Sequence, residues 1–502
     1  MKSILTSMAV GGLFGILAIA QTASYTLTDL GPAGNPFSQA SYVTNRGVVT
    51  GVYTAPDGTQ HAAVWQGGRI FDIAKPGLGG PNSLAGGLND LGQIVIQGES
   101  SAKDPNNENF CGYGDGLACL PYVWQFGTIT PLPTLGGNNG SWAQINNRGE
   151  VAGFAENSTR DSNCPAVPAV NGIGPQVLDV EAVIWGPGPG AIRELKPLPG
   201  DTVGAALWLN DKGQAVGTSG LCSNVVLPPI AFGPHAVLWD TDGTPTDLGN
   251  LGGTGNPAIL GRGNIGLGIN NHSEVVGTAS LTGNKAQHAF LWTKQTGIED
   301  LGVLQGDVNS AATSINDRAQ VVGQSYGEGG PMMGNPRAFL WENGVMTDLN
   351  TLVPANSPLY LLIGFSINSR GEIAGFGVTN DGEIHAFLAS PNYLSSAPSA
   401  GGATTAVVTP VSLTTNQSSV VLDGSGSTSA SGDLQYQFAV VSGGLKPALL
   451  ETPNDPKATV DFVSGPGLYL VQLTVTDSKG DTAKSPVVML NYQPSASSVA
   501  KH

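Results

Sequence analysis

"KAQHAFLWTKQTGIEDLG" at residues 285–302 has a near copy, "GNPRAFLWENGVMTDLN", at 334–350, and another, "GPHAVLWDTDGTPTDLG", at 233–249. In each copy an apolar run ending in Leu-Trp is followed by a short polar turn and a second run carrying Asp. Runs of about five alternating or β-branched residues bounded by Gly, Asn or Asp read as strands. The repeated phrase is therefore a β-hairpin written several times.

Two further phrases precede each hairpin. The first ends in Asn: "SYVTN" at 41–45, "GGLN" at 86–89, "WAQIN" at 142–146, "LWLN" at 207–210, "GLGIN" at 266–270, "ATSIN" at 312–316 and "GFSIN" at 364–368. The second ends in Gly, at Gly153, Gly217, Gly277, Gly323 and Gly375, with Gly51 and Gly98 assigned the same place in the first two copies. Turns such as "NNRGE" and "NDKGQ" join these phrases and suit a hairpin with a left-handed glycine. Ser273 and Ala319 replace that glycine in copies five and six, at about 1 kcal/mol each.

Four strands per unit at this spacing predict an all-β, seven-bladed β-propeller of four-stranded blades. The fourth phrase follows the third only six times, and "YTLTDLG" at 25–31 is the missing copy. The N-terminal strand is thus expected to complete the last blade and close the ring.

Repetition also removes most tempting catalytic residues. His61, His235, His288 and His385 share one strand position, filled elsewhere by Pro121, Glu181 or Arg337. Trp65, Trp124, Trp185, Trp239, Trp292 and Trp341 recur once per unit and are expected to cover a strand glycine. Asp29, Asp247, Asp300 and Asp348 recur likewise. Groups repeated around an array serve packing or strand-end hydrogen bonds, since repeats share a core.

The run "HAFLW…TDLG…SAATSIN…VVG" resembles the HAF-repeat family of probable extracellular bacterial proteins, over roughly residues 25–390 of an expected propeller domain at 25–392. The resemblance implies export and a repeat array and carries no catalytic residues. "VVLDGSGSTSASGDLQYQF" and "GPGLYLVQLTVTDSKGDTAKS" resemble a PKD domain, an immunoglobulin-like β-sandwich at 406–492, with Phe438 where the family has Trp. That likeness implies a spacer or binding module. The small-residue stretch at 393–405 reads as a linker, and 493–502 as a tail.

Residues 1–24 have one early positive charge, an apolar run and small residues, the layout of a signal peptide cleaved after Ala20 or Ala23. A retained membrane anchor is the alternative. The mature chain has no other apolar run long enough to span a membrane, so a secreted or cell-surface protein, expected to be monomeric, follows. A formal charge of −16, with 21 Lys+Arg, argues against a nucleic-acid partner. The 72 Gly and 34 Pro would suit disorder, but 40% apolar residues favour many short strands. Four cysteines fit an oxidising compartment. Three connectivities are open; position favours Cys111 with Cys119 and Cys164 with Cys222.

Function is expected where copies differ. The loops 99–120, 156–180, 220–234, 250–265 and 325–336 are long and would emerge on one face. They offer Tyr113, Asp115, Arg160, Asp161, Tyr326 and Glu328 as candidate binding residues, beside Asp104, Glu108 and Glu156 as solvated loop acids. No G-x-S-x-G elbow occurs, and "GRGNIG" at 261–266 lacks a strand-turn-helix context. "GYGDG" at 112–116 and "DGSGS" at 423–427 leave calcium open without an ordered calcium loop; no other cofactor, metal or catalytic residue is expected. Two readings stand: a non-enzymatic binding or surface-interaction protein whose partner is carbohydrate or another extracellular protein, and a carbohydrate-active hydrolase or lyase using loop carboxylates.

Overall fold

The computed structural model describes residues 24–31, 36–67, 69–74, 78–160, 164, 177–188, 190–223, 233–255, 263–328, 330–331, 334–354, 356–392, 404–410, 412–429, 433–440, 449–463, 467–478, 480, 482–485 and 488–492. The signal-peptide core, most of the linker and the C-terminal tail expected from the sequence lie outside these residues, as does Asp161.

Seven four-stranded antiparallel sheets follow one another along residues 38–72, 83–131, 136–195, 203–247, 265–302, 309–348 and 359–392. In the first six, each strand pairs with the next in sequence. The seventh takes its fourth strand from Ser24–Asp29, which pairs antiparallel with Ile384–Asn392 in continuous register from Ser24↔Asn392 to Asp29↔Phe387. The only helical element among the described residues is a single turn, Leu349–Thr351.

The Asn that ends the first strand explains why the phrase recurs. Its Oδ1 accepts two backbone N–H groups of its own turn, as Asn270 does from His272 and Glu274. Its Nδ2 donates to a main-chain carbonyl in the next sheet. Asn89 reaches Asn146, Asn146 reaches Asn210, Asn210 reaches Asn270, Asn270 reaches Asn316 and Asn316 reaches Asn368, at 2.9–3.1 Å. Asn368 then donates at 2.8 Å to Thr44 of the first sheet. Thr44, and not Asn45, therefore holds the asparagine place in copy one. Its Oγ1 takes the backbone N–H groups of Arg46 and Val48, but a hydroxyl lacks the amide's second donor, so the link to the second sheet is missing here. Ser273 and Ala319 adopt φ of 67° and 57°, the left-handed conformation their glycine counterparts use.

The second-strand glycine faces a register shift in the first strand. A Cβ there would collide with the bulged strand's carbonyl oxygen, as at Gly277 against Ile265 and Gly323 against Ala311. Copy two departs from this. Ile96, not Gly98, takes the place, and the glycine moves across to the bulge itself, where Gly87 makes room for Gln144.

The repeated tryptophan is not a uniform cover. Trp65, Trp185 and Trp239 are fully buried and donate Nε1 to the carbonyls of Leu30, Pro133 and Lys196. In the other three copies Tyr122, Phe290 and Phe339, two residues earlier on the same strand face, are buried instead, and Trp124, Trp292 and Trp341 sit half-exposed. Each sheet has room for one large ring, and whichever residue takes it displaces the other.

The recurring His does tie strand ends, bonding Asp72 from His61 at 2.6 Å, Asp300 from His288 at 2.9 Å and Asp29 from His385 at 3.0 Å. Arg337 does the same with Asp348 at 3.1 Å. His235 turns instead to Asp201, at 2.8 Å. In copy two the register puts Leu120, not Pro121, at this position.

Residues 412–492 form a β-sandwich. One sheet orders Ser412–Thr415, Val488–Tyr492, Gly467–Asp477 and Leu434–Val440, with Thr482–Lys484 attached to Gly467–Asp477. The facing sheet holds Ser419–Asp423, Lys457–Asp461 and Leu449–Glu451. Phe438, in the place of the expected Trp, is buried among Leu422, Phe462, Tyr469 and Leu473.

Candidate functional site: the insertion end of the second and third sheets

Four of the long connections leave a second strand, and 250–265 leaves a fourth, all at the end opposite the Asn turns. In the second sheet, Gln93–Lys103 and Leu117–Gln125 run past the sheet and carry residues 104–116 as a hairpin tip. That tip folds inward. Phe110 is 3% exposed and packs with the Cys111–Cys119 disulfide against Phe154, Val203 and Ile265, from the third, fourth and fifth sheets. The Phe110 and Phe154 rings lie 5.9 Å apart. Cys164 and Cys222 form the second disulfide beside the same cluster.

The expectation of solvated loop acids is overturned. Asp104, Glu108 and Glu156 are 5%, 2% and 0% exposed, because donors from the same loops collect them. Glu156 Oε2 accepts the backbone N–H groups of Asn138 and Asn139 at 2.9 Å. The Asn139 amide donates to both Glu156 oxygens at 3.2 Å and to Asp104 Oδ2 at 3.0 Å. Asp104 in turn accepts from the N–H groups of Asn106 and Glu108. Glu108 accepts from Val177 N at 2.5 Å and from the Asn106 amide at 3.3 Å. Burial pushes the Glu108 carboxyl up to about 8, with Glu156 and Asp104 adding to the effect. Glu156 is raised by the same desolvation, against the pull of its Asn138 and Asn139 donors.

Glu156 shares with a further buried acid, Glu99, a sequence signal that the loop reading passed over. Glu99 and Glu156 both lie three residues beyond the bulge-facing position (Ile96, Gly153), and each is preceded by "LGG" and Asn, at 78–82 and 135–139. Asn82 holds Glu99 through its N–H and amide, at 3.0 and 2.9 Å, as Asn139 holds Glu156. Glu99 is buried, and desolvation followed by the Asp115 carboxyl against it lifts it to about 7. Glu181, on the neighbouring strand, rises to about 8 through burial and then Glu194 and Asp179.

The candidate binding residues separate into two groups. Tyr326 is a core residue, 2% exposed, with Gln287 Nε2 donating to its hydroxyl at 2.5 Å. Tyr113 packs against the disulfide cluster, its hydroxyl raised by burial and by Glu99 and Asp115. Asp115 is half-buried. Arg160 and Glu328 are exposed, Arg160 reaching Asn106 at 3.5 Å. At "DGSGS" both Asp423 oxygens are engaged, one by Lys457 at 2.7 Å and the other by Ser425. Lys457 and Ser425 hold that carboxyl down at about 2.

Residues 409–490 match a family of PKD domains. No curated protein matches the chain. Among solved structures, the PKD domain from KIAA 1837 protein is 28% identical, covering 20% of this chain and 95% of that one at a TM-score of 0.17. A nucleoside hydrolase-related hypothetical protein from Saccharophagus degradans, associated with carbohydrate metabolism, is 19% identical over 18% of this chain and 26% of its own, at 0.17. Porphyromonas gingivalis dipeptidyl peptidase 4 is 11% identical over 68% of this chain and 51% of its own, at 0.30. The chain thus spans about a quarter and about half of the last two. The disulfides and the PKD domain are compatible with an extracellular protein, and no helix among the described residues is long and apolar enough to cross a membrane.

Proposed function

We propose that the seven sheets form a seven-bladed β-propeller of HAF-type repeats, and that the chain is an exported, non-enzymatic binding protein whose PKD domain acts as a spacer or second binding module. The Asn relay running from the seventh sheet back to the first supports the ring. Its ligand, carbohydrate or another extracellular protein, is taken up on the end carrying the long loops. One observation favours binding over hydrolysis: Asp104, Glu108 and Glu156 are buried and bonded to one another's donors, so they serve as the loops' internal scaffold. A raised carboxyl such as Glu108 would suit a general acid, but at 2% exposure it meets no substrate.

The test is a glycan array probed with the full chain and with Arg160→Ala and Glu328→Ala variants, alongside an assay for new reducing ends. Saturable binding that weakens in either variant supports the reading. Release of reducing ends that Glu108→Gln abolishes would return the enzyme alternative. Deleting the whole hairpin tip is unsuitable, because Phe110 and Cys111 belong to the core.

A further inference from the structure

At the Asn-turn end, away from the long loops, a cavity of about 140 Å³ is lined by all seven sheets. Its size follows from the residue just past each bulge. Three copies place a large side chain there, Tyr42, Gln144 and Trp208, while Gly268, Ser314 and Ser366 leave room on the fifth to seventh sheets. Tyr42 and Trp208 come from the first and fourth sheets and meet across the middle, ring centroids 6.1 Å apart, as an aromatic floor.

Two features point to a ligand. First, Tyr42 and Trp208 are half-exposed where they line the cavity, and among the described residues neither the Tyr42 hydroxyl nor Trp208 Nε1 has a hydrogen-bond partner, so both are free to meet a ligand. Second, the charged residues lining the cavity are both acids, Asp211 and Asp317. Each spends Oδ1 on a neighbouring backbone N–H, from Asn147 and Asn271. Each leaves Oδ2 with only long amide contacts of 3.2–3.4 Å. The basic residues one position further along these turns do not line the cavity; Arg148 and Arg370 lie back on Glu150 and Glu372 at 2.5 Å. Negative potential reaches the floor, since Asp211 and Asp90 add to the burial that pushes Tyr42 up to about 12.

We propose that this cavity binds an organic cation, an ammonium or guanidinium group, with Asp211 and Asp317 pairing its charge and the Tyr42 and Trp208 rings beneath it. Carboxylates and aromatic faces attract the same cation, and a partly desolvated site strengthens both contacts. The group can come from a free amine or from a Lys or Arg side chain of a partner. This site is independent of the loop-end reading, and either can fail alone.

The experiment is calorimetric titration of the full chain with butylammonium, N-acetyl-lysine amide, N-acetyl-arginine amide and, as a neutral control, glucose. Saturable binding of at least one cation is expected, with affinity falling about tenfold in Asp211→Asn/Asp317→Asn and less in Tyr42→Phe. The Asn replacements keep the Oδ1 acceptor, and unchanged circular dichroism would show the fold intact. Preference for the blocked amino-acid amides points to a peptide source, and preference for butylammonium to a free amine. No saturable cation binding, equal binding by the folded double variant, or tighter binding of glucose would overturn the proposal.

Discussion

The two ends of the strands solve the same problem in opposite ways. At the turn end, one residue type joins neighbouring sheets, and six asparagines repeat the same Nδ2 donation to the next sheet. At the loop end, repeated Ser and Asn links such as Ser83 to Ala62 and Ser310 to Ala289 are overlaid by parts that occur once: a disulfide-bonded hairpin tip, the Asp104–Glu108–Glu156 cluster and Tyr326. A repeated contact can be read from any copy. A unique contact must be read from its own residues, and there the burial of the acids contradicts what their polarity suggests.

Substitutions at each end sharpen this contrast. Phe110→Ala should be the most damaging, at about 3–5 kcal/mol in urea unfolding, because the tip packs into a shared core. A loss near zero would make the tip a surface ornament. Asn270→Ala leaves two turn N–H groups and the Asn316 carbonyl without their side-chain partner, and should cost about 2–3 kcal/mol. The same change at Asn210 should match it if the relay is uniform.

The acid cluster should give the loop end a pH dependence that the turn end lacks. Glu99, Glu108 and Glu181 have folded-state values of about 7, 8 and 8, above the ordinary 4.5. Their contribution is therefore complete below about 4.5 and fades as pH rises through 7 to 8. The melting temperature should be higher at mildly acidic than at mildly alkaline pH, and Glu108→Gln should flatten that slope. The smallest expected effect is a gain: Thr44→Asn supplies the missing donor toward the second sheet, for about 1 kcal/mol of added stability.

Strand phrases, hairpin turns, the substituted left-handed positions and the pairing of the N-terminal strand were legible because each depends on local residue types repeated in register. Copies one and two were misaligned at Thr44, Ile96 and Leu120 for the same reason: there the structural role passes to a residue of different type. The Trp positions were legible but their burial was not, since it depends on whether the residue two earlier is already large. At the loop end the cysteines were readable. The acids were not, because their donors, Asn82 and Asn139, come from the head of the first strand and act on the adjacent strand. The signal was present all the same, in "LGG" and Asn written upstream of both Glu99 and Glu156.

The pairing of Ser24–Asp29 with Ile384–Asn392 sets an order of events on the chain's assembly. The strand Ser24–Asp29 has its partner in the seventh sheet, more than 350 residues later. Until then it is an unpaired edge carrying alternating apolar residues, a template for the wrong neighbour. A chain stopped before residue 384 would keep six complete sheets and lose its fastener, leaving open edges at both ends of the array. Synthesis through residue 392 is thus a condition for shielding this edge, and products stopped before it should be the ones that clump.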